Sequence, residues 1–111
     1  MTRLELYDQY MRRRAAFGLD AGDQPGLSLE NTVGKARLTL GLEHEGLAVL
    51  RFLSQEQVAR IGLSLGADGG PASLSLLDPA GKIRAMLALG TEGSPVLTFL
   101  DEYGQGLWRA P

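Results

Sequence analysis

The sequence predicts an all-β domain built from five β-hairpin repeats of about 23 residues, arranged as an up-and-down meander. Short polar residues suited to opening a turn recur at steps of 23, 23, 24 and 23 residues. Apolar residues alternate with other residues before and after each of them, and a period of two indicates strands. The turn-opening residues are Asp8, Asn31, Ser54, Asp78 and Asp101.

The first strand of every repeat has apolar residues two and four positions before the turn-opening residue. These pairs are Leu4 and Leu6, Leu27 and Leu29, Leu50 and Phe52, Leu74 and Leu76, and Leu97 and Phe99. The second strand starts with an arginine six positions after the turn-opening residue in the first four repeats, and apolar residues alternate after it. The arginines are Arg14, Arg37, Arg60 and Arg84. The fifth repeat has Leu107 instead, as a capping repeat often departs from the pattern.

Three of the turns contain a glycine at the position where a positive φ is expected, namely Gly34, Gly81 and Gly104. Met11 and Gln57 occupy that position in the first and third repeats. Residues 1–19 also suit a helix, because MRRRAA contains good helix formers and an apolar stripe precedes it. The repeat register favours a hairpin there, with the helix as the alternative.

The alternating apolar residues of the first and second strands form two apolar columns. The length of the turn decides whether these columns share a face, because a change of one residue in loop length reverses the facing of a strand. A four-residue loop would place Leu74 and Leu76 beside Leu87 and Ala85, on one face that a closed barrel could enclose. A three-residue loop with a glycine bulge would place the columns on opposite faces. The alternatives are therefore a barrel or a two-faced sheet completed by oligomerisation.

The residue directly before the turn-opening residue suggests the second alternative. It is apolar or aromatic in four of the five repeats, as Tyr7, Leu53, Leu77 and Leu100, where a solvated sheet face should be polar. With the terminal aromatic Trp108, the three leucines form the candidate oligomer interface. We therefore expect a homo-oligomer closed by symmetry, in which a charged residue at position 53 or 77 dissociates the subunits.

Composition limits the function classes. A chain of 111 residues without cysteine predicts a single domain over residues 1–111 and excludes disulfides and thiolate sites. The formal charge of −2 disfavours nucleic acid as a partner. Acidic residues interrupt the N-terminal segment, and no apolar run is long enough to span a membrane, so we expect a soluble cytoplasmic protein with no membrane partner.

The residues predict no catalytic, cofactor-binding or metal site, and hence no enzyme. The one histidine, His44, lies between two glutamates in a turn, as a solvated residue would. Arg37, Arg60 and Arg84 are candidate ligand-binding residues that could grip carboxylates or phosphates. Their alternative is a structural role, in which each arginine pairs with turn acids or with carbonyls of its own or the neighbouring hairpin.

These observations predict a non-enzymatic, self-assembling binding or scaffold protein that requires no cofactor. The alternative is a small-ligand carrier that binds an apolar or anionic molecule near the column of arginines.

The segment PASLSLLDPAGKIRAMLALGTEGSP, residues 71–95, resembles a family of repeats. It is similar to the leucine-rich Asp-x-x-Gly-Lys-x-Arg-Ala hairpin repeat of uncharacterised bacterial proteins, among them small proteins carried by integron gene cassettes. The likeness covers about residues 25–111, while YDQYM and LSQEQ in the first and third repeats lack the glycine. The resemblance implies a β-repeat fold and self-association, and implies nothing about a substrate.

Overall fold

A computed structural model describes residues 3–66, 70–90 and 92–110. In these ranges ten antiparallel strands pair in chain order as one up-and-down meander, which confirms the predicted fold class. A short 3₁₀ turn, His44–Gly46, precedes the fifth strand. The strands are β1 Arg3–Tyr7, β2 Arg13–Leu19, β3 Pro25–Glu30, β4 Ala36–Leu42, β5 Ala48–Leu53, β6 Ala59–Leu65, β7 Ala72–Leu77, β8 Ile83–Leu89, β9 Pro95–Leu100 and β10 Gly106–Ala110.

The sheet is open. Among the described residues β1 pairs only with β2 and β10 only with β9, so the closed barrel is not formed. The molecule is one strand layer of 49 × 31 × 19 Å. Its radius of gyration of 16.4 Å exceeds the ~13 Å expected of a compact domain of this length.

Residues 3–19 form the hairpin of β1 and β2, and the helix alternative is wrong. The Asp8 carboxylate accepts hydrogen bonds from the main-chain N–H groups of Tyr10 and Arg12, at 2.9 and 3.1 Å. A closed turn of this kind and pairing with β3 outweigh the modest helix propensity of the MRRRAA segment.

Each hairpin turns through a three-residue loop. In the fourth repeat, the Gly81 N–H donates to the Asp78 carbonyl and the Asp78 N–H donates to the Lys82 carbonyl, both at 2.9 Å. The positive φ expected at the three turn glycines is confirmed, and the first and third repeats have it as well although they lack the glycine. The residues with this φ are Met11, Gly34, Gln57, Gly81 and Gly104.

A β-bulge follows the loop and brings the apolar residues of both strands back to one face of the sheet. Leu77 pairs with Ile83, but the next pair is Leu76 with Ala85, so Arg84 is an extra residue that forms a β-bulge. The three-residue loop is one of the two alternatives left open by the sequence, but the opposite facing expected with it is wrong. Because of the bulge, the two apolar columns share one face. The bulged residues of the five hairpins are Arg14, Arg37, Arg60, Arg84 and Leu107.

The shared face, here called the leucine face, consists of two rows that cross all ten strands and contain only apolar residues. One row is Leu4, Phe17, Leu27, Leu40, Leu50, Leu63, Leu74, Leu87, Leu97 and Ala110. The other row is Leu6, Ala15, Leu29, Leu38, Phe52, Ile61, Leu76, Ala85, Phe99 and Trp108.

The opposite face, here called the small-residue face, is mixed. One of its rows is Glu5, Ala16, Ser28, Thr39, Arg51, Gly62, Ser75, Met86, Thr98 and Arg109. The hydrophobic residues buried in the described part of the chain are Ala16 and Val49, which both lie on this face. Small side chains and polar groups make it a surface that water can cover.

The turn at Met11 offers a stability test. Met11 has φ of 64°, a conformation that costs a side-chain-bearing residue about 1 kcal/mol, and its side chain is 78% exposed. We expect Met11→Gly to raise the free energy of unfolding by about 0.5–1 kcal/mol, measured by urea denaturation. The reverse change at the equivalent position, Gly34→Met, should lower it. A destabilised Met11→Gly protein would contradict this account of the turn.

Candidate functional site

The arginines at the bulges connect successive hairpins. The Nε–H of each one donates to a main-chain carbonyl at the end of the first strand of the next hairpin. The pairs are Arg14 with Glu30 at 2.8 Å, Arg37 with Leu53 at 2.6 Å, Arg60 with Leu77 at 2.6 Å, and Arg84 with Leu100 at 2.8 Å.

The bulge explains why a side chain, and not the main chain, supplies the hydrogen bond between successive hairpins. The ladder between β8 and β9 ends at the pair Ala85 and Phe99, because β8 departs from regular geometry at Arg84. The carbonyl of Leu100 is the next acceptor along β9, and the guanidinium supplies the donor that the ladder lacks. The structural alternative considered for these arginines is therefore present in the fold, and ligand binding by Arg37, Arg60 and Arg84 stays a prediction.

The four arginines differ in the charge beside them. Nη1 of Arg84 lies 3.6 Å from the Asp78 carboxylate, and Nη1 of Arg14 lies 3.8 Å from that of Asp8. The pKa of Asp78 is below its ordinary value, chiefly because the Lys82 main-chain N–H donates to the carboxylate, and the Ala80 N–H and the charge of Arg84 add to this. In the second and third repeats the turn-opening residues are uncharged, so Arg37 and Arg60 lack this acidic neighbour.

An ion cluster on the small-residue face joins β1, β2 and β3. Arg13 contacts both carboxylate oxygens of Glu30, at 2.7 and 2.9 Å, and one oxygen of Glu5, at 2.7 Å. The side chain of Glu30 is only 8% exposed. The hydrogen bonds from Arg13 hold the pKa of Glu30 below its ordinary value, and those carboxylates raise the pKa of Arg13. The cluster stabilises the first hairpins and has the bidentate geometry of a structural ion pair.

The low pKa values of Glu30 and Asp78 predict a loss of stability in acid. The ordinary values are 4.5 and 3.8, and both are lowered by folding, so the unfolded chain binds more protons in acid. The stabilisation is complete above those ordinary values and is lost as the pH falls through the folded-state values. We expect urea denaturation between about pH 5 and pH 3 to show this loss, and Glu30→Gln to reduce it.

The control for this experiment is Glu102→Gln, which changes an exposed turn residue without touching the cluster. An unchanged pH dependence in Glu30→Gln, or an equal reduction in the control, would contradict the role assigned to Glu30.

The leucine face is open to solvent in the single chain. Leu63, Leu87 and Trp108 expose 42%, 47% and 51% of their surface. An apolar depression of about 420 Å³ runs along the middle strands, and its lining includes Leu50 and Leu74. A continuous apolar surface that crosses all ten strands is typical of a protein interface and is rare on a monomer.

The predicted interface residues lie on both faces. Trp108 lies on the leucine face, where its ring stacks on that of Phe99 at 5.4 Å between centroids. Leu53, Leu77 and Leu100 are half-buried on the small-residue face, at the strand ends whose carbonyls the arginines bind. The structure thus separates residues that the sequence analysis grouped together.

The small-residue face has a shallow depression of about 340 Å³ over β2–β5. Its lining includes Gly18, Gly26 and Gly41, and the charge of Arg51 there is balanced by Glu43 at 2.7 Å. The lining combines open glycine backbone with polar side chains, among them Arg3, Ser28 and Thr39.

In the described ranges, no group of three or more His, Cys, Asp or Glu residues could hold a metal ion, and no helix is long and apolar enough to cross a membrane. The side chain of His44, predicted to be solvated, lies outside the described part of the chain. No protein-family model matches the sequence, and no curated protein matches it.

Proposed function

We propose that this protein is a non-enzymatic, self-assembling scaffold or binding protein. The observation that supports this most strongly is the uninterrupted leucine face on an open, single-layer sheet. In the ranges that the structure describes, the hydrophobic residues less than a tenth exposed are Ala16 and Val49. Burial of apolar surface is the main favourable term in folding, and two small residues supply little of it.

Folded domains consist of at least two packed layers. Here all strands in the described ranges belong to one sheet, so these residues do not supply a second layer themselves. Association would then complete the fold and would be part of the protein's working state.

The polar groups support a structural role. The column arginines bind carbonyls, the turn-opening acids bind main-chain N–H groups, and the Arg13 cluster is internally paired. Such groups hold turns and strands in place, which is a structural task and not a catalytic one. Together with the absence of cysteine, this fits a structural protein of a reducing compartment such as the cytoplasm.

The second candidate, a carrier of a small anionic ligand, is best supported at Arg37 and Arg60, because the turn-opening residues of their hairpins, Asn31 and Ser54, carry no charge. Inorganic phosphate should then raise the melting temperature of the protein, and this shift should disappear in Arg60→Ala but persist in Arg84→Ala. An equal shift in the wild type, Arg60→Ala and Arg84→Ala would exclude these two arginines as its cause.

Light scattering over a dilution series tests the proposed self-assembly. We expect the native molar mass to be a stable multiple of 11.9 kDa. A folded monomer at every concentration would overturn the proposal, because it would show that the single layer is stable without a partner.

A further inference from the structure

We infer that the leucine face is covered by a second copy of this chain, packed face to face as a two-layer β-sandwich. This inference rests on the proposed self-assembly and goes further, because it assigns the surface through which the copies meet. Three features of the molecule favour it: its excess surface, the composition of the face, and the character of the sheet edges and turns.

The surface of the single chain is too large for a compact protein. A monomer of 11.9 kDa is expected to expose about 6,000 Å², and this chain exposes 7708 Å². The excess of about 1,700 Å² is more than the ~800 Å² per partner that a stable interface needs. A pair that buries this excess would have the surface expected of two compact domains.

The leucine face is complementary to itself. Both of its rows contain only aliphatic and aromatic residues, with no charged or polar residue that would need a partner on the opposing surface. A two-fold axis places the same patch of each copy against the other, so apolar meets apolar without a second evolved surface. Two such faces pack about 10 Å apart with interdigitating side chains.

The sheet edges disfavour growth by strand pairing. Each of the first four hairpins donates an arginine to the next, but in the last hairpin Leu107 occupies that position. At the other edge, β1 contains Arg3 and Glu5, and charged residues on an edge strand oppose pairing with another chain. A contact between the edges of two molecules would therefore lack the arginine–carbonyl hydrogen bond that joins successive hairpins within the sheet.

The turns at one end of the sheet disfavour an anionic lipid surface, which is the other broad apolar partner, whereas the hairpin turns at the opposite end include Arg12, Lys35 and Lys82. The turns between β2 and β3, β4 and β5, and β8 and β9 contain acids and no lysine or arginine. The acids are Asp20, Asp23, Glu43, Glu45 and Glu92. Anionic membranes attract basic segments and repel acidic ones.

Two arginine substitutions at neighbouring positions test which face forms the contact. Leu74 and Ser75 are adjacent on β7 and point to opposite faces, and Gly62 beside Ser75 leaves room for a larger side chain. We expect Leu74→Arg to reduce the native molar mass to that of one chain, 11.9 kDa, or to prevent folding, and Ser75→Arg to retain the mass of the wild type.

The outcomes separate the inference from the proposed function. A monomeric wild type overturns the self-assembly and the face assignment together. A wild-type oligomer that Ser75→Arg or Leu77→Arg dissociates, while Leu74→Arg does not, overturns the face assignment alone. Binding of monomers to phosphatidylcholine vesicles would also overturn it, in favour of a lipid partner.

Cysteine substitutions supply a test that does not depend on a disruptive charge. The wild-type chain has no cysteine, so Leu74→Cys and Ser75→Cys each introduce a single thiol. Leu74 is 37% exposed in the single chain and would be covered in the pair. We expect a polar thiol reagent to modify folded Leu74→Cys at least about tenfold more slowly than Ser75→Cys. Equal rates would overturn the inference.

Discussion

Truncating Leu63 to alanine should lower the free energy of unfolding of the assembled protein by about 2–4 kcal/mol. Leu63 lies in the middle of the leucine face, between Leu50 and Leu74 on the flanking strands. In the face-to-face pair its side chain is enclosed, and its removal leaves a cavity. In a single chain 42% of Leu63 is already in water, so the loss would be about 1 kcal/mol.

Chemical denaturation at several protein concentrations measures this effect. The midpoint should rise with concentration, because association stabilises the folded chain. The control is Val33→Ala, which shortens an apolar side chain that is 72% exposed in a turn away from the leucine face. A loss below about 1 kcal/mol for Leu63→Ala, with a midpoint independent of concentration, would contradict burial of this face.

Replacing Arg37, Arg60 and Arg84 together with methionine should lower the free energy of unfolding by about 3 kcal/mol. Methionine retains an apolar stem, but it cannot donate to the carbonyls of Leu53, Leu77 and Leu100. Each of these charge-assisted hydrogen bonds is partly exposed and should contribute about 1 kcal/mol, and the three are far enough apart to be nearly additive.

The fifth hairpin provides the control for the arginine series. Leu107→Arg places a guanidinium at an equivalent bulge, where the described part of the chain has no following hairpin to accept its hydrogen bond. We expect no gain in stability from this change. A comparable gain in Leu107→Arg, or a loss below about 1 kcal/mol in the triple variant, would show that the arginines do not act by joining hairpins.

The strands and turns of this fold could be predicted from the sequence because the repeat supplies several copies of the same signal. A residue such as Asp78 has a definite physical task, since its side chain binds the N–H groups of Ala80 and Lys82. The same task recurs at the same spacing throughout the chain. Even the turn at Met11, which lacks glycine, was recognisable by its position in the repeat.

The second bulge could not be recognised in the same way. A bulge requires no particular residue, and the arginines at this position suggest a ligand site as readily as a structural role. One signal was available in the spacing of Leu76 and Ala85, which are nine positions apart. With a three-residue loop, residues at an odd separation point to opposite faces of a regular hairpin. If both residues are to face the same side, the hairpin must therefore contain a bulge.

The sequence pattern also could not predict that the leucine face is exposed. Alternation identifies which residues share a face, but whether that face is enclosed depends on whether the first and last strands meet. The ion cluster was detectable as an exception in the repeat, because Glu30 and Arg13 occupy positions that are apolar in other hairpins, such as Leu77 and Ile83.

Small-angle X-ray scattering of the wild-type protein tests the central claim most directly, because it reports mass and shape together. For the face-to-face pair we expect about twice the mass of one chain, a longest Cα dimension near the 49 Å of one sheet, and a thickness about 10 Å greater than 19 Å. A particle of 11.9 kDa with a radius of gyration near 16.4 Å, or a pair joined at the sheet edges and much longer than one chain, would contradict it.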